Sequence, residues 1–364
     1  MWQLGPDANR SEWRVVDTTY SFNLYDVVQT TDGPYAVGGR GTLITNRGNG
    51  WEIVLDDGPT TRQNQLRAID VTDDGARIWL AGSSGALACY DVEQRRKYDY
   101  AYPEEMTSTW EAVTVSGERG TEKALAANGS GEVLPFTIDG FDVDWGHLEK
   151  PAEKGSTVAA LASTPEGVGF VVDTSGNAFK TTAESGWEDI GVVNAQVTFD
   201  DVYAGANQQV YLAGGDGRIY RYDDSYHRWT PIDVTRTQSV LVGRREPQAL
   251  VNVTDGDALR SVDVYEADDG RTQMTVLGAD GTIYQRTAKE RWEQLPSPTS
   301  ADLYAFSLGD PDVAIGKNGT VLERPRGERR STSNASDGGE RTASDGGDAF
   351  DGRGESDDGR IGTE

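Results

Sequence analysis

Seven times along the chain an apolar run meets a tight glycine turn and restarts: AVGGRGTLIT, LAGSSGALACY, LAANGSGEVLPF, FVVDTSGNAFKT, YLAGGDGRIYRY, VLGADGTIYQRT and VAIGKNGTVLER. The turn glycines Gly41, Gly85, Gly131, Gly176, Gly217, Gly281 and Gly319 lie 44, 46, 45, 41, 64 and 38 residues apart. That spacing is close to the ~40–45 or ~50 residues of a propeller blade. Units of this kind bury their apolar faces against neighbours and grow into one closed domain.

Within each unit the reading is constant. An opening strand (LYDVVQT, QLRAIDVT, WEAVTVS, VAALAST, FDDVYAG, SVDVYEA) precedes a polar turn and a more hydrophobic second strand (PYAVGG, RIWLAG, GVGFVVD, QVYLAGG, TQMTVLG). The glycine turn follows, then a third strand and a fourth opened by an aromatic residue at Trp51, Tyr98, Trp145, Trp187, Trp229 or Trp292. A strand held between two blades buries both faces and reads as a continuous apolar run, whereas alternation in the third strand implies one less enclosed side. Glycine supplies the positive φ of a short hairpin turn without steric cost.

The seventh unit stops short. After Gly319 the chain runs TVLERP and turns polar, with no closing aromatic strand. The missing strand stands at the other end, where Glu12-Trp13-Arg14-Val15-Val16-Asp17 looks like GWEIVLD at Trp51 and RWTPIDV at Trp229. The expected fold is therefore all-β, a seven-bladed β-propeller of four-stranded antiparallel blades, its ring closed by the N-terminal strand in the last blade. Residues 1–11 form an extension, 12–325 the propeller, and 326–364 a Gly/Ser/Asp-rich acidic tail too poor in apolar residues to fold. The long interval between Gly217 and Gly281 places an extended hairpin or loop around Thr235 to Arg260.

With 60 acidic and 34 basic residues the net charge is −26, of which residues 1–325 carry −22. Only seven lysines occur. Dense acidity with little lysine reads as adaptation to concentrated salt, where short Debye lengths make like charge tolerable. The same charge argues against nucleic acid, which needs a basic footprint; Arg95-Arg96-Lys97, Arg244-Arg245 and Arg326 to Arg330 are small islands. The N-terminal MWQLGPDANRSEW lacks the apolar stretch of a signal peptide, and no apolar run is long enough to span a bilayer. A cytoplasmic monomer, not inserted in a membrane, is expected.

Chemistry-bearing motifs are sparse. Cys89 is alone, so no intrachain disulfide forms. His147 and His227 both adjoin closing strands, on the outer perimeter of a propeller. HExxH, GxSxG and CxxC are absent. Asp73-Asp74, Asp255-Gly256-Asp257 and Asp268-Asp269 fit ordinary turns rather than calcium loops. No catalytic, metal or cofactor residue is assigned, and no cofactor is expected.

The first unit, LYDVVQTTDGPYAVGGRGTLITNRGNGWEIV, resembles repeats of the photosystem II assembly and stability factor family and, more loosely, BNR or Asp-box propellers with their WD40/YVTN-like architecture. Asp26-Val27, Val37-Gly38, Gly41, Thr45 and Gly50-Trp51 carry the likeness, with Asp201-Val202, Gly214, Gly217 and Gly186-Trp187 in later units. NRGNGW and TAESGW lack the aspartate and the final threonine of an Asp-box. The resemblance, with the charge, implies a haloarchaeal, noncatalytic, assembly-factor-like scaffold that binds a protein partner. The alternative is a sialidase-like glycan-binding or glycoside-hydrolysing propeller, which needs arginines converging on a carboxylate; Arg40, Arg77, Arg218 and Arg271 are the candidates. For partner binding the basic pair Arg244 and Arg245 in the insertion is the expected electrostatic handle.

Overall fold

The computed structural model describes residues 12–152, 156–182, 186–191, 197–206, 209–239, 248–252, 257–266, 272–286 and 291–326. Apolar runs separated by turn glycines fold into seven four-stranded antiparallel sheets; in blades one to six the strands follow chain order from the innermost outward, and in blade seven the N-terminal strand is added outside the last three. The inner strands are Leu24–Thr30, Leu66–Val71, Trp110–Ser116, Val158–Ser163, Phe199–Gly205, Leu259–Glu266 and Leu303–Ser307 in blades one to seven. Each neighbours the next, and the seventh neighbours the first, so the ring is closed.

The two ends of the propeller meet in one blade through strand pairing. Arg14–Val16 pairs antiparallel with Val321–Arg324, placing Val15 opposite Leu322, and becomes the outermost strand of blade seven. Trp13, only 5% exposed, packs with Leu303, Phe306 and Leu322, and the Arg324 guanidinium lies 5.0 Å above its ring.

Second strands are buried on both faces, as in Arg77–Gly82 and Asp312–Gly316. Third strands depart from the expected alternation: Leu87–Asp91 and Val321–Arg324 are buried throughout, and only Val133–Asp139 alternates clearly. In blade two the neighbouring blades enclose the third strand from either side, with Leu87 and Cys89 packed toward blade three and Tyr90 toward blade one, whereas in blade five Arg218 and Arg221 of the third strand stay exposed. The aromatic residues mark the fourth strands but do not always open them, since Tyr98 is third in Arg96–Asp99 and Trp145 ends Asp142–Trp145.

Glycine is required at the turns for two reasons. Gly41 and Gly319 have φ of 68° and 74°, and the connection to the next inner strand passes directly over them. A Cβ on Gly41 would lie 2.8 Å from the Asp57 carbonyl carbon, and one on Gly319 would collide with the Tyr20 carbonyl. The insertion forms a separate hairpin, Thr235–Ser239 against Gln248–Asn252, whose first strand approaches Trp292–Leu295 at the outer edge of blade six. It ends before Arg260, which belongs to the inner strand of that blade.

Candidate functional site

Every inner strand carries a β-bulge at its second residue. In blade one Leu24 pairs with Gly38 and Asp26 with Val37, leaving Tyr25 without a partner; the same shift recurs at Arg67, Glu111, Ala159, Asp200, Arg260 and Tyr304. A bulge re-aims the extra side chain. Seven bulges in a closed ring aim seven side chains at one place, and all of them line the central opening, a cavity of about 480 Å³. This is the face of the glycine turns, because each inner strand starts where the second strand ends.

Neighbours in this mouth pair off. Tyr25 and Tyr304 stack with centroids 5.9 Å apart and planes 7° from parallel. Arg67 donates to Glu111 at 2.8 Å, and Arg260 to Asp200 at 3.5 Å. Burial pushes the Asp200 carboxyl above the usual range, against the pull of Arg260. Ala159 offers only a methyl group.

One layer deeper, Asp26, Asp70, Asp201 and Asp263 hold adjacent blades together. Each accepts the amide of the residue after it and an amide of the next blade: Ile69 for Asp26, Val115 for Asp70, Val262 for Asp201 and Leu308 for Asp263. Asp70 and Asp201 also accept the Thr114 and Ser261 hydroxyls. Burial is the largest influence on all four, raising Asp26 to about 8, Asp201 to about 7, and Asp70 and Asp263 to about 6; the donated amides act in the opposite direction. At the seventh-to-first junction Gln29 bridges instead, donating to the Ser307 and Pro311 carbonyls. These four carboxyls thus accept backbone amides of the neighbouring blades, an arrangement that fixes the blades to one another.

The residues singled out in sequence are scattered. Arg40 sits exposed at the first glycine turn with φ 63°. Arg77, 2% exposed, is bound to Glu122 at 2.7 Å, and Arg218 pairs with Asp216 and Asp233. These three are not brought together, and Arg271 lies outside the described residues, as do Arg244 and Arg245. His227 Nδ1 is 3.2 Å from Glu188. Cys89 is buried, its thiol pushed up to about 12. Asp74 accepts the Thr72 hydroxyl and the Ala76 amide within its turn, while Asp73 takes the Gly117 amide of blade three. Asp257 is described, whereas Asp255, Gly256 and Asp268-Asp269 are not. Arg326, the first residue of the expected tail, is anchored to Asp312 and lies 3.8 Å from the Tyr265 ring. Among the described residues no group of three His, Cys, Asp or Glu side chains is placed to hold a metal, and no helix is long and apolar enough to cross a membrane.

No protein-family model matches the chain, and no curated protein matches its sequence. Solved structures do. Virginiamycin B lyase from Staphylococcus aureus aligns with a TM-score of 0.65 at 10% identity, over 86% of this chain and 98% of that one. YCF48 bound to D1 peptide aligns at 0.62 and 14% identity, over 86% and 97%. The WD40 repeats of RRP9 align at 0.62 and 11%, again over 86% and 97%. These likenesses show the fold alone. They include a lyase as well as propellers without one in their names, so the fold leaves the activity open.

Proposed function

We propose that this propeller is a noncatalytic scaffold that docks a protein partner over the mouth on its glycine-turn face. The observation that carries this reading is the bulge ring. Blade geometry repeats seven times, yet the bulged positions hold aromatic, basic, acidic and small side chains in a non-repeating order. A purely structural bulge does not require such variety, whereas a recognition surface does. The structural neighbour YCF48, solved with a D1 peptide bound, offers a precedent on the same fold for peptide recognition, an assembly-factor-like role. The carboxylates beneath the mouth serve backbone amides, which is why catalysis is not assigned. Arg244 and Arg245 would add contacts from the insertion. The acidity fits a monomer working in a salt-rich, haloarchaeal cytoplasm.

The test is capture of partners from the source cells in molar salt. A tagged wild-type chain is compared with Ala159→Trp, which plugs the mouth, and with Arg244→Glu/Arg245→Glu. Loss of the same partner in the plugged variant, with folding unchanged by circular dichroism, is expected. Undiminished capture defeats the mouth as docking site. Measurable cleavage of a glycoside or a lyase substrate by the purified protein defeats the noncatalytic reading.

A further inference from the structure

The mouth is polarised across its diameter. Going round the ring, Glu111, Ala159 and Asp200 follow one another from blades three, four and five, and Arg260, Tyr304, Tyr25 and Arg67 complete the circle from blades six, seven, one and two. One half therefore presents two carboxylates on either side of a methyl group. The other presents two guanidinium groups on either side of a stacked tyrosine pair.

The existing ion pairs join the halves at their boundaries without cancelling this polarity. Glu111 is held by Arg67, but the Asp200 pairing reaches 3.5 Å through a single oxygen. Burial raises the Asp200 carboxyl despite Arg260, so that anion gains from a further cation beside it. Ala159 puts no long side chain between the two acids, whereas every other bulged position is filled. On the far side the tyrosine faces give a stacking surface next to fixed positive charge, a combination suited to an aromatic ring beside an anion.

Building on the docking role proposed above, we infer that the mouth recognises an extended peptide segment with a charge of each sign. Its lysine or arginine enters between Glu111 and Asp200, and its aromatic and acidic residues, a few positions away, settle on Tyr25 and Tyr304 between Arg67 and Arg260. A uniformly acidic segment meets Glu111 and Asp200, and a uniformly basic one meets both arginines. Opposed charges of this kind reject wrong partners and fix orientation as much as they add affinity.

Three capped pentapeptides provide the test, one with lysine at the first position and tyrosine-glutamate at the end, one with both end charges lysine, one with both glutamate. Titration calorimetry at ~1 M KCl, where the Debye length is about 3 Å, removes the general pull of a net-acidic protein on cations. The mixed peptide is expected to bind about tenfold more tightly than either like-charged peptide. Glu111→Gln/Asp200→Asn should abolish its advantage over the glutamate peptide, Arg67→Gln/Arg260→Gln its advantage over the lysine peptide. Equal binding of all three peptides to the wild-type chain, or no binding by any, overturns the inference without recourse to a variant. If Ala159→Trp still abolishes partner capture in that case, docking at the mouth stands and only its polarity falls. Free lysine displacing the mixed peptide at equal concentration would also overturn it, by showing that one cation suffices.

Discussion

Asp70 and Val115 lie 45 residues apart in different blades, and the Asp70 carboxylate accepts the Val115 amide at 2.7 Å. The bond replaces, between blades, the ladder that holds strands within one. Asp70→Ala leaves the Val115 and Val71 amides and the Thr114 hydroxyl without this acceptor. Water in the channel compensates in part, so the expected loss is about 2–3 kcal/mol, from ~1–3 kcal/mol per stranded buried donor. Denaturant unfolding measures it, and a loss below ~0.5 kcal/mol would show that the staple is ornamental.

The four stapling carboxyls also give the ring a pH dependence of definite sign. Burial raises them to about 8 at Asp26, 7 at Asp201, and 6 at Asp70 and Asp263, from ~3.9 in an unfolded chain. Between those values the folded state holds more protons than the unfolded one. Their contribution is therefore complete below pH ~4 and is lost as pH rises through the folded values, by up to ~1.4 kcal/mol per pH unit for each group. The thermal midpoint should fall between about pH 5 and pH 8.5, and Asp26→Asn should flatten the upper end of that window. An Asp26→Asn protein with an unchanged slope between about pH 7 and 8 would remove Asp26 as its source.

Closure can be tested by truncation. Deleting residues 1–18 removes buried Trp13 and exposes the edge of Val321–Arg324, whereas deleting 331–364 leaves every described residue in place. The first deletion should lower the thermal midpoint sharply and the second hardly at all. Trp13→Ala alone should cost about 3–5 kcal/mol. Similar melting of the two truncations would refute the closed ring.

Ring architecture is readable because it rests on features that must recur at fixed intervals: Gly41 and its counterparts, the apolar second strands, and the Trp13 segment that supplies the fourth strand missing from the seventh unit. Alternation of the third strands was misjudged because periodicity reports one sheet's two faces and not how closely the next blade approaches. The mouth was hidden for a different reason. Tyr25, Arg67, Glu111 and Asp200 look like solvent-facing residues at a strand start, and only the pairing register shows that each is bulged toward the axis. Their common signal, the residue just after the first buried apolar position of each opening strand, becomes visible once the seven strands are aligned. Arg260 falls inside the insertion on sequence because composition does not mark where a hairpin ends and an inner strand begins. Asp26 and Asp201 were noticed for their likeness to a repeat motif, while their role in joining blades depends on contacts with Ile69 and Val262, 43 and 61 residues away.

On the opposite face two blades use one device with the charges exchanged. Arg77 stands opposite Asp91 in blade two, and Asp312 opposite Arg324 in blade seven. Arg77 is nearly inaccessible, bound to Glu122 at 2.7 Å and the Gly140 carbonyl at 2.9 Å, with Phe141 4.3 Å from its guanidinium. Removing one member of such a buried pair strands the other, at about 3–5 kcal/mol, whereas replacing both with apolar residues can be neutral. Arg77→Met and Glu122→Leu should each be strongly destabilising, and the double variant less so than either. A double variant whose loss equals the sum of the singles would show that the two side chains do not depend on each other.

Salt and pH act on the same charge, which allows their effects to be separated. The −22 carried by residues 1–325 repels itself most where screening is weak, so stability should rise between ~0.1 M and ~2 M KCl as the Debye length falls from ~10 Å to ~2–3 Å. If self-repulsion is the cause, the gain must shrink near pH ~4.5, where many surface carboxylates approach neutrality. A preferential-exclusion effect of salt on buried apolar area would persist there. Thermal melts over a grid of KCl concentration and pH distinguish the two. A salt response of equal size at about pH 4.5 and pH 8 would reject charge repulsion as its origin, and with it the salt-adapted reading of this acidic surface.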